Sequence, residues 1–417
     1  MTPFRPLSLS ILSLALGAAL CAPAQAQSLL ELVESARTYD TAWQSARAQL
    51  DAAARKADQA RAGLLPSAAL TGGLTRSNVE LSKPKIENTG TAQTVGINAS
   101  QPLYRPANRI TLEQGQRGVD VAQAQLDAAT QDLLVRVSQA YFDVLAAQDT
   151  LTFVQAQKAA VSEQLAAAKR NFEVGTTTVT DSREAQARYD LVIAQEIAAE
   201  NDQRVKSLAL DQLVGITGTK PLPLALPVQL PSVVPDNLTT WVDTARDQQP
   251  GVRQAAIALD IARLETKKAE TGHLPTVDLQ AGYNVTRNLH GTITSPGVTA
   301  RSNAASVGVA LNLPLFAGFA VQNRVKETLA LETKAEADLE TARRNVAQAT
   351  RAAFYGVQSG QGQVQALEAA EASSQSALDA NKLGYQVGVR INIDVLNAQS
   401  QLYQTKRDLA QARYNVL

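Results

Sequence analysis

Residues 276–286 read TVDLQAGYNVT, and residues 306–316 read SVGVALNLPLF. In the first, Val277, Leu279, Ala281, Tyr283 and Val285 oppose Asp278, Gln280, Gly282, Asn284 and Thr286. In the second, Val307, Val309, Leu311, Leu313 and Leu315 oppose Ser306, Gly308, Ala310 and Asn312. Alternation with a period of two over about ten residues is a β-strand with one apolar face. Strands of this length exceed the usual five or six residues. About ten tilted residues is also the length that crosses a bilayer. The polar faces hold Gly, Thr and Asn and few charges.

The same pattern stands about 210 residues earlier. Ala68, Leu70, Gly72 and Leu74 alternate with Thr71, Gly73 and Thr75, and Val95, Ile97, Ala99 and Leu103 with Thr94, Gly96, Asn98 and Ser100. Three landmarks recur in order. Leu65-Pro66 with Leu70 returns as Leu274-Pro275 with Leu279, an offset of 209. Val95-Gly96-Ile97 with Pro102-Leu103-Tyr104 returns as Val307-Gly308-Val309 with Pro314-Leu315-Phe316, an offset of 212. Phe172-x-Val174-Gly175 with Asp181 returns as Tyr385-x-Val387-Gly388 with Asp394, an offset of 213. The chain therefore reads as two structural repeats. Residues 27–220 form the first and 241–417 the second. Between them, at 221–240, Pro221, Pro223, Pro227, Pro231 and Pro235 preclude a helix and mark an extended connector.

Each repeat has the same order. A helix comes first, over 28–63 in the first half. A hairpin follows, at about 66–104 and about 275–316, with polar loops expected at 77–93 and 287–304. Next comes a long helix, at about 108–172 and about 320–386, and a return helix, at about 181–216 and about 393–417. The mirror of the first return helix would run to about 425–430, so the chain is expected to be truncated at Leu417. A 65-residue helix is roughly 95 Å long. In the first long helix, Val119, Ala122, Leu126, Ala129 and Leu133 step by three and four, and Val137, Ala140, Val144 and Ala147 resume after a four-residue shift. In the second, Ala335, Leu339, Ala342, Val346, Ala349 and Ala353 do the same. These are heptad seams, the first with a stutter, and their Ala content implies close helix approach.

Arg5, the apolar run Leu7 to Leu20 and Ala24-Gln25-Ala26 read as a secretory signal peptide over 1–26. The single Cys, Cys21, is lost with it. With two His and no Cys in the mature chain, a thiol nucleophile and a multi-ligand metal site are excluded. Lys+Arg and Asp+Glu both number 39, which gives no basic footprint for nucleic acid. No catalytic constellation and no phosphate-binding loop appears, so neither an enzyme nor a cofactor is expected.

A sheet in lipid must close, because its edge N–H and C=O groups find no partner there. Four strands cannot close, and about eight is the practical minimum. Several copies must therefore share one barrel. Two copies would give eight strands and a filled interior; three would give twelve and a lumen. The competing reading is a periplasmic coiled-coil adaptor or scaffold of an export system. It explains the heptads and the leader but not the duplicated hairpins.

The motifs above, with Ala140-Tyr141-Phe142-x-Val144-Leu145, Gly272-His273-Leu274-Pro275-Thr276, Asp394-Val395-Leu396 and Ala412-Arg413-Tyr414-Asn415, resemble the TolC family of outer-membrane efflux and type I secretion channels. The resemblance covers nearly the whole mature chain and is closer to members without a lipid anchor. It implies a mainly α protein with a membrane β-barrel. A homotrimer would form a 12-stranded outer-membrane barrel continuous with a 12-helix periplasmic barrel. It further implies outer-membrane lipid as surroundings, a periplasmic adaptor (membrane fusion protein) and an inner-membrane ABC, RND or MFS pump as partners.

Both long helices end at Val-Gly, a C-cap signal. Val174, Gly175, Val387 and Gly388 thus mark two tips, where the resemblance implies adaptor docking. An Asp394 from each of three copies would ring the pore and attract cations. The resemblance puts a second acidic ring at the position held here by Asn397, so weaker block by multivalent cations is expected. It also implies a gate latch of Tyr385 and Arg390 on the second tip with Gln164, Thr180 and Asp181 on the first. Asp181-x-x-Glu184 also reads as a capping start, and Asn392 could cap the second return helix.

Overall fold

The computed structural model describes residues 26–83, 85–225, 227–292 and 295–417. The leader read at 1–26 lies outside the described residues except for Ala26. The elements are α1 (Leu29–Tyr39), α2 (Thr41–Ala62), β1 (Ser67–Ser82), β2 (Lys85–Tyr104), α3 (Pro106–Glu173), α4 (Val179–Val214), α5 (Leu238–Gln248), α6 (Pro250–Glu270), β3 (Thr276–Leu289), β4 (Gly291–Thr292), β5 (Ser295–Pro296), β6 (Ala300–Asn312), α7 (Ala320–Gln386) and α8 (Asn392–Val416). Among the described residues no helix is long and apolar enough to cross a membrane.

The chain divides into two compact units. One holds Ser45–Ala128 and Val242–Gln348. Its sheet runs β1-β2-β3-β6, with every neighbouring pair antiparallel. The register stacks apolar residues across strands: Leu70, Ile97, Tyr283 and Ala305 form one rung, and Ala68, Ala99, Ala281 and Val307 another. This face is bare. Leu70 is 74% exposed and Val307 79%. The opposite face is polar. Asn98 Nδ2 donates to Thr71 Oγ1, and the hydroxyls of Thr94 and Thr286 meet across the strands. A Cβ on Gly96 would fall inside the Asn284 side chain opposite it, so a larger residue there would displace Asn284.

The loops expected at 77–93 and 287–304 prove to be largely strand. β1 and β2 stay paired out to Ser82 and Lys85, and β3 and β6 pair from Asn288 and Ala300 inward. Backbone pairing does not require the apolar alternation, which stops where the residues turn polar on both faces. At the other end of the sheet, Arg105 forks onto Asp278 through Nε (2.8 Å) and Nη2 (2.6 Å), fixing the entry to α3 against β3. In the same unit the seam residues Ala335, Leu339, Ala342 and Val346 of α7 pack on Val252, Ala255, Ala256 and Leu259 of α6. Burying one Leu in such a seam contributes about 1.5–3 kcal/mol.

The other unit holds the described residues up to Gln44, with Ala129–Trp241 and Ala349–Leu417. Its main core joins Leu32 and Ala36 of α1, Leu133, Val137, Tyr141, Val144 and Leu145 of α3, and Leu210 and Val214 of α4. The connector is tied down by Tyr141 Oη, which donates to the Leu222 carbonyl at 2.8 Å. It also pairs with the start of the chain through Gln27 N to Lys220 O and Leu222 N to Gln27 O.

The single helix expected over 28–63 is broken at Asp40, which is extended (ψ 120°). Asp40 Oδ1 accepts from Trp43 N at 2.7 Å and so starts α2. Gln249, 209 residues on, breaks α5 from α6 in the same way, its side chain accepting from Val252 N.

Candidate functional site: the two helix-hairpin tips

Both tips lie in the second unit. Each long helix ends in the same turn. Gly175 (φ 77°) and Gly388 (φ 80°) take the left-handed conformation that glycine reaches without strain. Gly175 N donates to Phe172 O and Thr176 N to Asn171 O; Gly388 N donates to Tyr385 O and Val389 N to Gly384 O. This is the Schellman pattern in both. Val174 and Val387 stand out from the turns, 72% and 65% exposed.

The restarts differ. Thr178 caps α4: its hydroxyl accepts from Asp181 N, and the Asp181 carboxylate accepts in return from Thr178 N at 3.2 Å. The helix therefore starts at Val179, and the box is Thr178–Asp181 instead of Asp181–Glu184. In the second tip the N-cap position is Ile391, whose side chain has no oxygen to offer. Asn392, expected as a cap, does not cap. It is the first residue of α8, 1% exposed, and turns toward the first hairpin. Its Oδ1 accepts from Gln164 Nε2, and its Nδ2 donates to the Asp181 carbonyl at 3.2 Å.

Further links cross between the hairpins. Asn171 Nδ2 donates to Tyr385 Oη at 3.3 Å. Arg188 of α4 donates through Nη2 to Asn397 Oδ1 at 2.8 Å. Gln164, Asn171, Asp181, Tyr385, Arg390 and Asn392 line a cleft of about 710 Å3 between the hairpins. Among the described residues, Thr177 Oγ1 is buried there without a partner.

The structure thus joins Gln164 and Tyr385 to the opposite hairpin, but through Asn392 and Asn171, which sequence reasoning did not assign to this role. Within one chain Arg390 does not reach Asp181. Its guanidinium pairs with Asp394 one turn on, at 3.6 Å, while the Asp181 carboxylate is held by its own cap. Thr180 is exposed. Asp394 keeps about a third of its side chain exposed. The signal that could have exposed Asn392 is its repeat mate. At the offset of 213, Val179 aligns with Asn392 and Thr178 with Ile391, so the polar residue has moved by one position.

Deeper in this unit, behind the tip, Arg407 donates to Gln157 Oε1 at 3.1 Å, and burial pushes its guanidinium below its ordinary value. Tyr414 donates to Asp149 at 2.7 Å, and burial, then that carboxylate, push its phenol up.

Comparison with known proteins adds the following. The model of the family described as "Outer membrane efflux protein" matches residues 32–216 and 241–417. The chain is 34% identical to outer membrane protein TolC of Vibrio cholerae over 94% of its own length and 88% of the relative's. It is 30% identical to the proteases secretion protein PrtF of Dickeya chrysanthemi, covering 94% of this chain and 86% of that one. Among solved structures, the outer membrane protein VceC of Vibrio cholerae superposes with a TM-score of 0.78 at 19% identity, over 93% of both chains.

Proposed function

The chain belongs to the outer membrane efflux protein family, and from that premise we propose that it forms a homotrimeric channel-tunnel for passive export. As a member of this family it is an outer-membrane protein of Gram-negative bacteria that reaches into the periplasm, and the family is one of channels, not enzymes.

One observation carries the finer reading. The four-stranded sheet presents a bare apolar face and two long outer edges, on β1 and β6, that have no strand beside them among the described residues. In lipid such edges must pair. Three copies joined β6 to β1 would close a 12-stranded barrel, with the Thr, Asn and Gly face lining a lumen. The long helices of three copies would form the periplasmic 12-helix barrel. Proteins or small toxic compounds would enter it from an inner-membrane ABC, RND or MFS pump through a periplasmic adaptor.

The tips would be the gate. Gln164–Asn392 and Asn171–Tyr385 hold one hairpin to the other, and Arg390 holds Asp394 in place. A few hydrogen bonds of this kind make a two-state element that a docking adaptor can open. Val174, Gly175, Val387 and Gly388 would form the docking tip, and three Asp394 carboxylates the cation-attracting constriction, with Asn397 leaving the second ring neutral. Thr180 and Asp181 complete the proposed latch.

The test is single-channel conductance in planar bilayers, native against the Tyr385→Phe, Arg390→Ser double variant. A small resting conductance that rises several-fold in the variant is expected. A large conductance unchanged by the variant would sink the gate. No conductance from verified, inserted protein would favour a scaffold.

A further inference from the structure

The sheet register brings together three arginines that the sequence keeps far apart. Leu74, Gln93, Arg287 and Arg301 form one continuous rung across all four strands, and Arg76, Thr91 and Leu289 form the next same-face rung outward. Both rungs lie on the apolar face, because they continue the alternation of Leu70, Ile97 and Tyr283. All three arginines are exposed, and none has an ion pair among the described residues. Arg287 and Arg301 stand directly opposite each other. Like charges directly opposite on neighbouring strands are destabilising. The nearest acids on this face beyond Arg76, Glu80 and Glu87, pair with each other across the hairpin two same-face rungs further out.

The position of the cluster is specific. The apolar stretch on this face of β3 starts at Val277, and Arg287 lies ten residues on, about 33 Å along the strand at about 3.3 Å per residue, or about 25 Å of height at a barrel tilt of about 40°. A barrel's apolar band is about 25 Å tall. Arg287 follows Val285, the last apolar residue on that face, and at that height it sits where hydrocarbon gives way to headgroups. The strand ends that continue into helices are at Ser67, Tyr104, Thr276 and Asn312, and the helices belong to the periplasmic side. The arginine rungs lie toward the opposite ends, at the outer leaflet.

We propose that Arg76, Arg287 and Arg301 form a binding site for the phosphate groups of a phosphorylated glycolipid in the outer leaflet of the outer membrane. The site rests on reading this sheet as the chain's share of a membrane barrel. Guanidinium forks match phosphate bidentately, and a phosphate between Arg287 and Arg301 turns their repulsion into a shared attraction. Basic clusters at the headgroup level recognise anionic lipids by this chemistry.

The test uses the purified full-chain assembly in detergent. Native mass spectrometry follows titration with diphosphoryl lipid A and with dephosphorylated lipid A. The wild type should prefer the diphosphoryl lipid by about tenfold or more. Arg287→Gln with Arg301→Gln should erase that preference, and the paired Lys substitutions should keep most of it. Lys326→Gln with Arg351→Gln, an equal charge loss on α7, should leave it unchanged. A preference that survives the Gln pair, or a wild type that does not discriminate, overturns the proposal. Complete competition by millimolar inorganic phosphate overturns the assignment to a lipid. Insertion into planar bilayers is scored separately. A wild type that inserts but does not discriminate removes this site alone, whereas one that fails to insert removes the barrel reading and this site with it.

Discussion

The two helix-hairpin tips share one backbone turn and use their polar side chains in opposite ways. Gly175 and Gly388 close the same Schellman pattern. At the first tip Thr178 and Asp181 satisfy each other. At the second, Ile391 offers no cap, Asn392 crosses to the first hairpin, and Asp394 meets Arg390. The first tip caps its own helix start, whereas the second replaces a cap with a bridge to the first hairpin. A helix start that lacks a side-chain cap is less stable by about 1 kcal/mol. Here the buried Asn392 bridge offsets that deficit. The two tips therefore differ in what would undo them: the first only by breaking its own cap, the second by losing contact with the first.

The sharpest way to break this comparison is Asn392→Val. It leaves the Gln164 amide without its acceptor, and an orphaned buried polar group costs about 1–3 kcal/mol. Amide exchange at the second tip should accelerate by about tenfold or more while the capped first tip keeps its protection, read by hydrogen exchange of residues 385–400 against 173–181. Unchanged protection would mean that something other than Asn392 couples the tips.

A second prediction concerns charge at the proposed constriction. Asn397 accepts from Arg188, so an aspartate placed there would be half-neutralised from the start. Asn397→Asp should therefore strengthen block by multivalent cations only modestly. Asn397→Asp with Arg188→Gln should strengthen it several-fold, measured as block of single-channel current. Equal block in the two would show that Arg188 does not screen the site. No change in either would defeat the charge argument itself.

The smallest effect concerns the helix breaks, where the halves again differ. Gln249 caps without charge, but Asp40 caps as a carboxylate. The Arg136 guanidinium beside Asp40 holds its carboxyl below the usual range. A carboxylate whose folded value is lowered contributes stability above its unfolded value of about 3.9, and that contribution is lost as pH falls through the lower folded value. Below about pH 4 the α1–α2 junction should loosen before the α5–α6 junction. Hydrogen exchange at mildly acidic and strongly acidic pH checks the order, and Asp40→Asn should remove the difference at all pH values.

Much of this was legible in the sequence. The alternation in 276–286 and 306–316 announced strands β3 and β6, and the absence of proline announced α3 and α7. Tip glycines followed from the Val-Gly motif. Other features were not legible. Nothing in the run 28–63 separates a capping Asp40 from any other acid in a helix, and the Arg136 guanidinium that holds its carboxylate lies 96 residues away. The polar ends of the hairpins read as loops, since pairing through backbone groups leaves no side-chain pattern. Asn392 read as a cap because Asn usually is one at a helix start.

The strand character of the alternating stretches, the two long helices and family membership were legible in the sequence alone, because period and composition act over a few residues. Tertiary structure alone decided which partner each polar group takes. Gln164 meets Asn392 across 228 residues, Arg188 meets Asn397 across 209, and register sets Arg76, Arg287 and Arg301 on adjoining rungs of one face. Hydrogen bonds and charges act at contact distance, and contact between residues so far apart exists only once the chain has folded.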